Sequence, residues 1–291
     1  MIIDSHAHYA HAKFDTEFPY LYTKDAEYAI ERASRNELLK IMRESGIVGV
    51  IEPSIGFDDI DGQLALVSEH SSYMWCALGV HPTRCIYTPW KNRLQVANLA
   101  GRGDIIAIGE TGLDYHHPRK KQFRLRQKRW FNYLIKLSDE LKLPLVLHIR
   151  QADKDALKIL TRHRSSLHGG VVHCFAGNYE LARKYIALGF HIGIGGKLLC
   201  DNEEGRALTD AVKNAPLSSL LIETDAPFVL PDIGEPSSSK HQAKRLCNSS
   251  FILPKVIERI AEIRGEDAKA IEDAIFENTV RAFNLNVMFS N

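Results

Sequence analysis

The feature that most constrains the fold of this chain is a repeated unit, in which a short apolar run without polar alternation is followed by a stretch of helical periodicity. Such a run is a strand buried on both faces, as a parallel sheet lying between helices requires. Eight runs fit, at residues 1–3, 47–51, 74–79, 105–108, 145–147, 171–172, 191–194 and 220–222. Helical spacing is predicted over 36–45, 62–70, 90–100, 120–142, 154–163, 179–188 and 203–214, with closing helices at 253–263 and 267–283. Eight strand and helix units close into a (β/α)8 TIM barrel, an α/β fold, and we expect residues 1–291 to form a single domain of that kind. An open doubly wound sheet is the structural alternative, but the first strand lacks the glycine-rich turn that a nucleotide-binding sheet carries. Residues 9–35 show no clean period and read as a long loop, and 234–239 (GEPSSS) read as a loop within the last strand-to-helix connection.

Composition narrows the partners. Lys and Arg (37) balance Asp and Glu (36), so the molecule as a whole has no basic field to collect nucleic acid, and any polyanion site must be local. Five cysteines, odd in number and without a C-x-x-C pair, fit free thiols in a reducing compartment. No basic segment leads into a long apolar run, and no apolar stretch nears the length of a membrane span. The expectation is a cytoplasmic protein with no membrane partner.

Chemistry gathers where the apolar runs end. His6 and His8 follow the first, His81 the third, Glu110 the fourth, His148 the fifth, His173 the sixth and Asp225 the eighth. In an extended chain His6 and His8, two residues apart, lie on one face and can converge on one ion. Taken singly, His148 and His173 read as core histidines, Glu110 as a loop carboxylate and Asp225 as a turn residue before Ala226-Pro227. Separate structural roles do not place each of them at the end of a different strand. On a barrel these ends share the rim that carries active sites, and histidines with carboxylates there form the ligand set of a catalytic divalent-metal site.

The blocks Asp4-Ser5-His6-Ala7-His8, Gly79-Val80-His81-Pro82, Gly109-Glu110-Thr111-Gly112-Leu113-Asp114-Tyr115, Leu147-His148, Val172-His173-Cys174-Phe175 and Glu223-Thr224-Asp225-Ala226-Pro227 occur in that order. In these the chain resembles the TatD family of metal-dependent deoxyribonucleases, within the amidohydrolase-like metallohydrolases. The resemblance implies two divalent metal ions (Zn, Mg or Mn): His6, His8 and Asp225 on one, His148 and His173 on the other, Glu110 bridging. It implies a water acidified between them, Asp225 positioning that nucleophile or taking its proton, and His81 donating to the scissile phosphate. It also implies 3′ to 5′ exonuclease activity on DNA, single-stranded or at ends. Asp114 and Glu223 are candidates to fix imidazole tautomers from outside, and Cys174 reads as structural.

Outside these blocks, residues 119–129 (RKKQFRLRQKR) hold seven basic residues in eleven. A solvated helix face is the plain account; a phosphate-tracking patch with Arg124 and Arg126 as substrate contacts is the functional one. Lys240, Lys244 and Arg245 can serve likewise, and the aromatics of 9–35 can stack on unpaired bases. Asn248-Ser249-Ser250 stands where many family members have Asn-Glu-Pro, so the substrate rim departs from the pattern while the ligand set is intact. Two other readings therefore stand beside the nuclease: a small-molecule hydrolase of lactonase, amidase or phosphotriesterase type acting on an ester, and a non-catalytic metal-binding scaffold.

Overall fold

A computed structural model describes residues 1–24, 27–57, 60–116, 121–232 and 245–286. In chain order the strands are β1 (Ile2–Asp4), β2 (Phe18–Lys24), β3 (Glu27–Ala33), β4 (Ile47–Pro53), β5 (Met74–Leu78), β6 (Ile105–Asp114), β7 (Leu145–Arg150), β8 (Gly170–His173), β9 (Phe190–Ile194) and β10 (Leu220–Ile222). The helices are α1 (Arg35–Glu44), α2 (Ile60–Glu69), α3 (Arg93–Ala100), α4 (Lys121–Leu141), α5 (Asp153–Arg162), α6 (Tyr179–Ile186), α7 (Glu203–Asn214), α8 (Leu253–Arg264) and α9 (Ala268–Phe283). Eight strands form one sheet in the order β1-β4-β5-β6-β7-β8-β9-β10, with helices between them, and β2 and β3 form a separate two-stranded sheet. The fold is a (β/α)8 barrel, as the repeated unit predicts.

Two compact units share the chain, one of Met1–Ile51, Ala176–Ala182 and Gly193–Asn278, the other of Glu52–Phe175, Arg183–Ile192 and Thr279–Asn291. In the first, β1 runs parallel to β4 with Ile3 opposite Gly49 and Asp4 opposite Val50. The Ser5 amide donates to the Ile222 carbonyl at the end of β10. Helix α1 starts at a capping box: Ser34 Oγ accepts from the Glu37 amide, and Glu37 Oε2 accepts from the Ser34 amide at 2.8 Å. Its buried Leu38, Leu39 and Met42 keep one helical face inward.

Residues 9–35 are not the long loop that their lack of a period predicts. A 3-10 turn at Ala12–Phe14 leads into an antiparallel hairpin with Phe18 opposite Ala33 and Lys24 opposite Glu27. Its first strand buries Phe18 and Tyr20 on one side and Leu21 on the other, which hides the alternation a half-buried strand would show. Tyr20 stacks on Phe251 and Tyr22 meets it edge-on, while Leu21 packs with Leu246 and Ile252. The backbone of Cys247 both accepts from Leu21 and donates to Pro19. The partners that order this segment thus lie more than two hundred residues away in sequence, where no local period can register them.

In the second unit β5, β6, β7 and β8 are parallel neighbours, and His148 sits directly opposite His173. Strand β6 extends six residues past the predicted end at Ile108, so Glu110 stands within a strand and not in a turn after it. The glycines disguise this continuation. A Cβ at Gly109 would lie 2.6 Å from Val146 Cβ, and the register with β7 shifts between Ile108 and Thr111. Glycine in a strand marks such close passages. Helix α4 buries Gln127, Trp130, Phe131 and Leu134, a three-and-four spacing toward the sheet. All five cysteines are free, and no described helix is long and apolar enough to cross a membrane.

Candidate metal centre

Two donor clusters stand at the C-terminal ends of strands. In the first unit, His6 and His8 leave β1 with their Nε2 atoms 3.1 Å apart, and Asp225 Oδ1 lies 3.3 Å from His8 Nε2 and 3.7 Å from His6 Nε2. The two imidazoles are buried, and the backbone links the donors: Asp225 N–H donates to His6 C=O, and His8 N–H to Ala226 C=O. Asp225 has φ 56°, a left-handed conformation that Asp tolerates better than most residues.

Beneath this loop lies Asp4, fully buried and holding four hydrogen bonds. Its carboxylate accepts from the amides of His6 (3.2 Å) and Thr224 (3.1 Å) and from the hydroxyls of Thr224 (2.6 Å) and Ser250 (2.7 Å). Burial pushes its carboxyl up to about 6, against these hydrogen bonds, which favour the charged form. Tyr9 Oη lies 2.9 Å from Ser250 Oγ and accepts from the Ser250 amide. Asn248 donates to the carbonyls of Thr224 and Val229. Hence the Asn248-Ser249-Ser250 departure is an internal clamp of buried polar groups.

In the second unit Glu110 is the hub. Its Oε1 lies 2.8 Å from His148 Nδ1, 2.8 Å from His173 Nε2 and 3.4 Å from His81 Nε2. The nitrogens of His148 and His173 are themselves 3.0 Å apart. Burial opposes ionisation of Glu110, yet the charges of His81 and His173 and the hydrogen bonds of His148 and His173 prevail and hold the carboxyl well below the usual range. Burial likewise opposes protonation of His148, but hydrogen bonds to Asp114 and Glu110 outweigh it and raise that imidazole to about 9. Asp114 Oδ2 stands 3.4 Å from His148 Nε2, and Gln127 of α4 fixes the Asp114 backbone by accepting from its amide and donating to its carbonyl.

His81 is oriented from outside. The Thr83 amide donates to its Nδ1 at 3.2 Å, and Thr83 Oγ1 lies 2.6 Å from the same nitrogen. Burial pushes the His81 pKa down, and because Nδ1 accepts from the Thr83 amide, a neutral ring carries its proton on Nε2, the atom that faces Glu110.

Both clusters fit a divalent cation. Donors bound at 2.0 to 2.1 Å on perpendicular axes are about 2.9 Å apart, near the spacing of the Glu110, His148 and His173 atoms. His6, His8 and Asp225 form one compact group of possible ligands, and His81, Glu110 and His148 another. The imidazoles of His6, His8, His148 and His173 with the carboxylates of Glu110 and Asp225 suit a borderline or late transition ion, with oxygen donors enough for Mg²⁺ or Mn²⁺.

Glu223 is buried, its carboxylate packed where a side chain on Gly193 would sit. Arg124 lies with its guanidinium carbon 4.2 Å from the centre of the Tyr115 ring. Exposed Arg126 donates to the Ile86 carbonyl at 2.9 Å, and Lys128 pairs with Asp155 at 2.7 Å. Arg119, Lys120, Lys240 and Lys244 lie outside the described residues. Sequence reading missed the supporting roles of Asp4, Ser250, Gln127 and Thr83. Only Asp4, an isolated carboxylate directly after an apolar run, carried a signal.

The model of the TatD-related DNase family matches residues 3–284. The uncharacterized metal-dependent hydrolase YabD of Bacillus subtilis (strain 168) is 30% identical over 286 residues, covering 98% of this chain and 100% of that protein. The 3′-5′ ssDNA/RNA exonuclease TatD of Erwinia tasmaniensis is 32% identical over 251 residues, covering 86% and 94%. Among solved structures, the TatD homolog YJJV from Escherichia coli K12 superposes with a TM-score of 0.77 at 25% identity, covering 98% of each chain.

Proposed function

We propose, for a chain that belongs to the family of TatD-related DNases, a metal-dependent phosphodiesterase that removes nucleotides from the 3′ end of single-stranded DNA or RNA. The observation that carries this reading is the gathering of His6, His8 and Asp225, and of Glu110, His148 and His173, into two donor clusters at strand ends. We assign His6, His8 and Asp225 as residues that would hold one divalent ion and Glu110, His148 and His173 as residues that would hold a second. When bound, such ions lower the pKa of water and shield the charge of a phosphodiester.

The protein's own groups supply the rest. Asp225, less buried than its imidazole neighbours, offers a carboxylate oxygen to position the attacking water or take its proton. His81, held by Thr83 with its N–H on Nε2, donates to a non-bridging phosphate oxygen. The buried strand ends keep bulk water from competing for these donors. Hydrolysis of nucleic acid is favoured over the small-molecule alternative by relatives named as nucleases.

The test is release of nucleotides from 5′-labelled single-stranded DNA and RNA by metal-loaded protein, with Mg²⁺, Mn²⁺ and Zn²⁺ compared, beside Asp225→Asn and a panel of lactones and simple esters. A ladder shortening from the 3′ end in wild type only is expected. Equal release by wild type and variant, or turnover of the esters alone, overturns the reading.

A further inference from the structure

One face of the second unit is basic in a protein that is otherwise balanced. Between Glu69 and Asp104 the sequence has no Asp or Glu but four Lys or Arg, and between Asp114 and Asp139 it has none but eight. The fold brings these two acid-free segments together. Arg126 of α4 donates to the Ile86 carbonyl, Tyr133 of α4 donates to the Arg93 carbonyl at 2.8 Å, and Trp90 meets Trp130 and Tyr133 edge-on. Across the described residues Arg84, Lys91, Arg93, Arg124, Arg126 and Arg129 have no carboxylate partner, while Lys128 does. Among the described residues of this surface, an acid balances the run only at Lys128, through Asp155.

Aromatic and apolar side chains are interleaved with the charges. Tyr87 is 70% exposed and Leu125 is 62% exposed. The Arg129 guanidinium lies 3.9 Å from the centre of the Trp90 ring and that of Arg93 5.4 Å from it, with Arg93 also donating to the Trp90 carbonyl. A guanidinium laid on an indole has already lost much of its rotamer freedom, so it contacts an anion with less ordering cost than a free arginine. Duplex DNA offers phosphates but keeps its bases stacked inside, whereas a single strand offers phosphates and base faces together.

We propose that this face, built from Arg84, Tyr87, Arg93, Arg126 and Arg129, is a track for single-stranded nucleic acid that holds nucleotides beyond those at the candidate metal centre. The arginines contact successive phosphates and Tyr87 stacks on an unpaired base. The inference rests on the nuclease reading for its ligand, but it concerns binding and is testable without turnover.

The experiment measures binding of fluorescent single-stranded 4-mers and 20-mers, and of a 20-base-pair duplex, to full-length protein across a salt series in EDTA. Arg84→Gln/Arg129→Gln and Tyr87→Ala are compared with wild type. Wild type is expected to bind the 20-mer at least about tenfold tighter than the 4-mer. The double charge variant should erase most of that gain and reduce the salt slope by about 1.4, two contacts at roughly 0.7 each. Tyr87→Ala should weaken the single-stranded 20-mer about fivefold or more and leave the slope unchanged. Equal affinity for 4-mer and 20-mer, unchanged 20-mer affinity in both variants, or duplex binding as tight as single-strand binding each overturns the track. Length-dependent binding with no nucleotide release from metal-loaded wild type would keep the track and remove the nuclease reading.

Discussion

The two donor clusters are built by different means. His148 and His173 are neighbours by sheet register, set side by side on β7 and β8 with Glu110 on the adjoining β6, so strand pairing itself places their side chains. His6, His8 and Asp225 leave their strands and stand on short irregular segments held by a buried carboxylate, Asp4, and its hydroxyl partners. The comparison teaches that strand register can set ligands side by side, with Asp114, Gln127 and Thr83 orienting them from outside, whereas ligands beyond the strand ends are placed by a buried polar anchor.

The largest effect is expected at the sheet-built cluster, because its hub is single. Glu110→Gln removes the charge that His81, His148 and His173 converge on, and should lower turnover of single-stranded DNA by about a thousandfold or more, with loss of bound metal by elemental analysis. Retained metal with retained turnover would show that register alone, without the carboxylate, makes the centre.

At the loop-built cluster, Asp225→Asn keeps the shape but weakens the base, and a fall in kcat of about 10² to 10⁴ is expected with a smaller change in KM. Asp4→Asn strikes the anchor instead. Its amide nitrogen cannot accept from a hydroxyl or a backbone amide, so about 2 to 4 kcal/mol of stability should be lost in urea unfolding. Metal affinity should also fall about 10- to 100-fold by competition with a chelator. Normal metal affinity in Asp4→Asn would dissolve the distinction between the clusters. Ser250→Ala, which removes one of the four hydrogen bonds, should cost about 1 kcal/mol.

The smallest effect belongs to a pair near the end of β6. Asp155 takes hydrogen bonds from Lys128 and Tyr115, which hold its carboxyl below the usual range. A carboxyl lowered in the folded state adds stability above its ordinary pKa and loses it as pH falls through the lowered one. Asp155→Asn should therefore flatten the acid limb of the stability curve, and only by about 1 kcal/mol or less, since the group is a third exposed and screened. A change confined to alkaline pH would contradict the pairing.

The parts of the fold legible in the sequence were those whose cause is local. Each barrel strand showed as an apolar run because it is buried on both faces, and α7 and β10 fall at their predicted bounds. The donors showed because each stands at the end of such a run. The hairpin of β2 and β3 did not show, because Tyr20 and Leu21 are buried, and Tyr22 is contacted, by residues near the other end of the chain. The length of β6 was hidden by Gly109 and Gly112, whose lack of side chains reads as a turn but serves close strand passage.

Sequence by itself thus determined the fold class and the inventory of donors, since apolar periodicity and residue type are properties of the chain. Tertiary structure alone decided their companions. It set Asp4 under His6 and Ser250, turned the His81 proton toward Glu110 through Thr83, and joined two acid-free segments into one basic face. These are contacts between residues far apart in sequence, and hydrogen-bond geometry and local charge density exist only once the chain has folded.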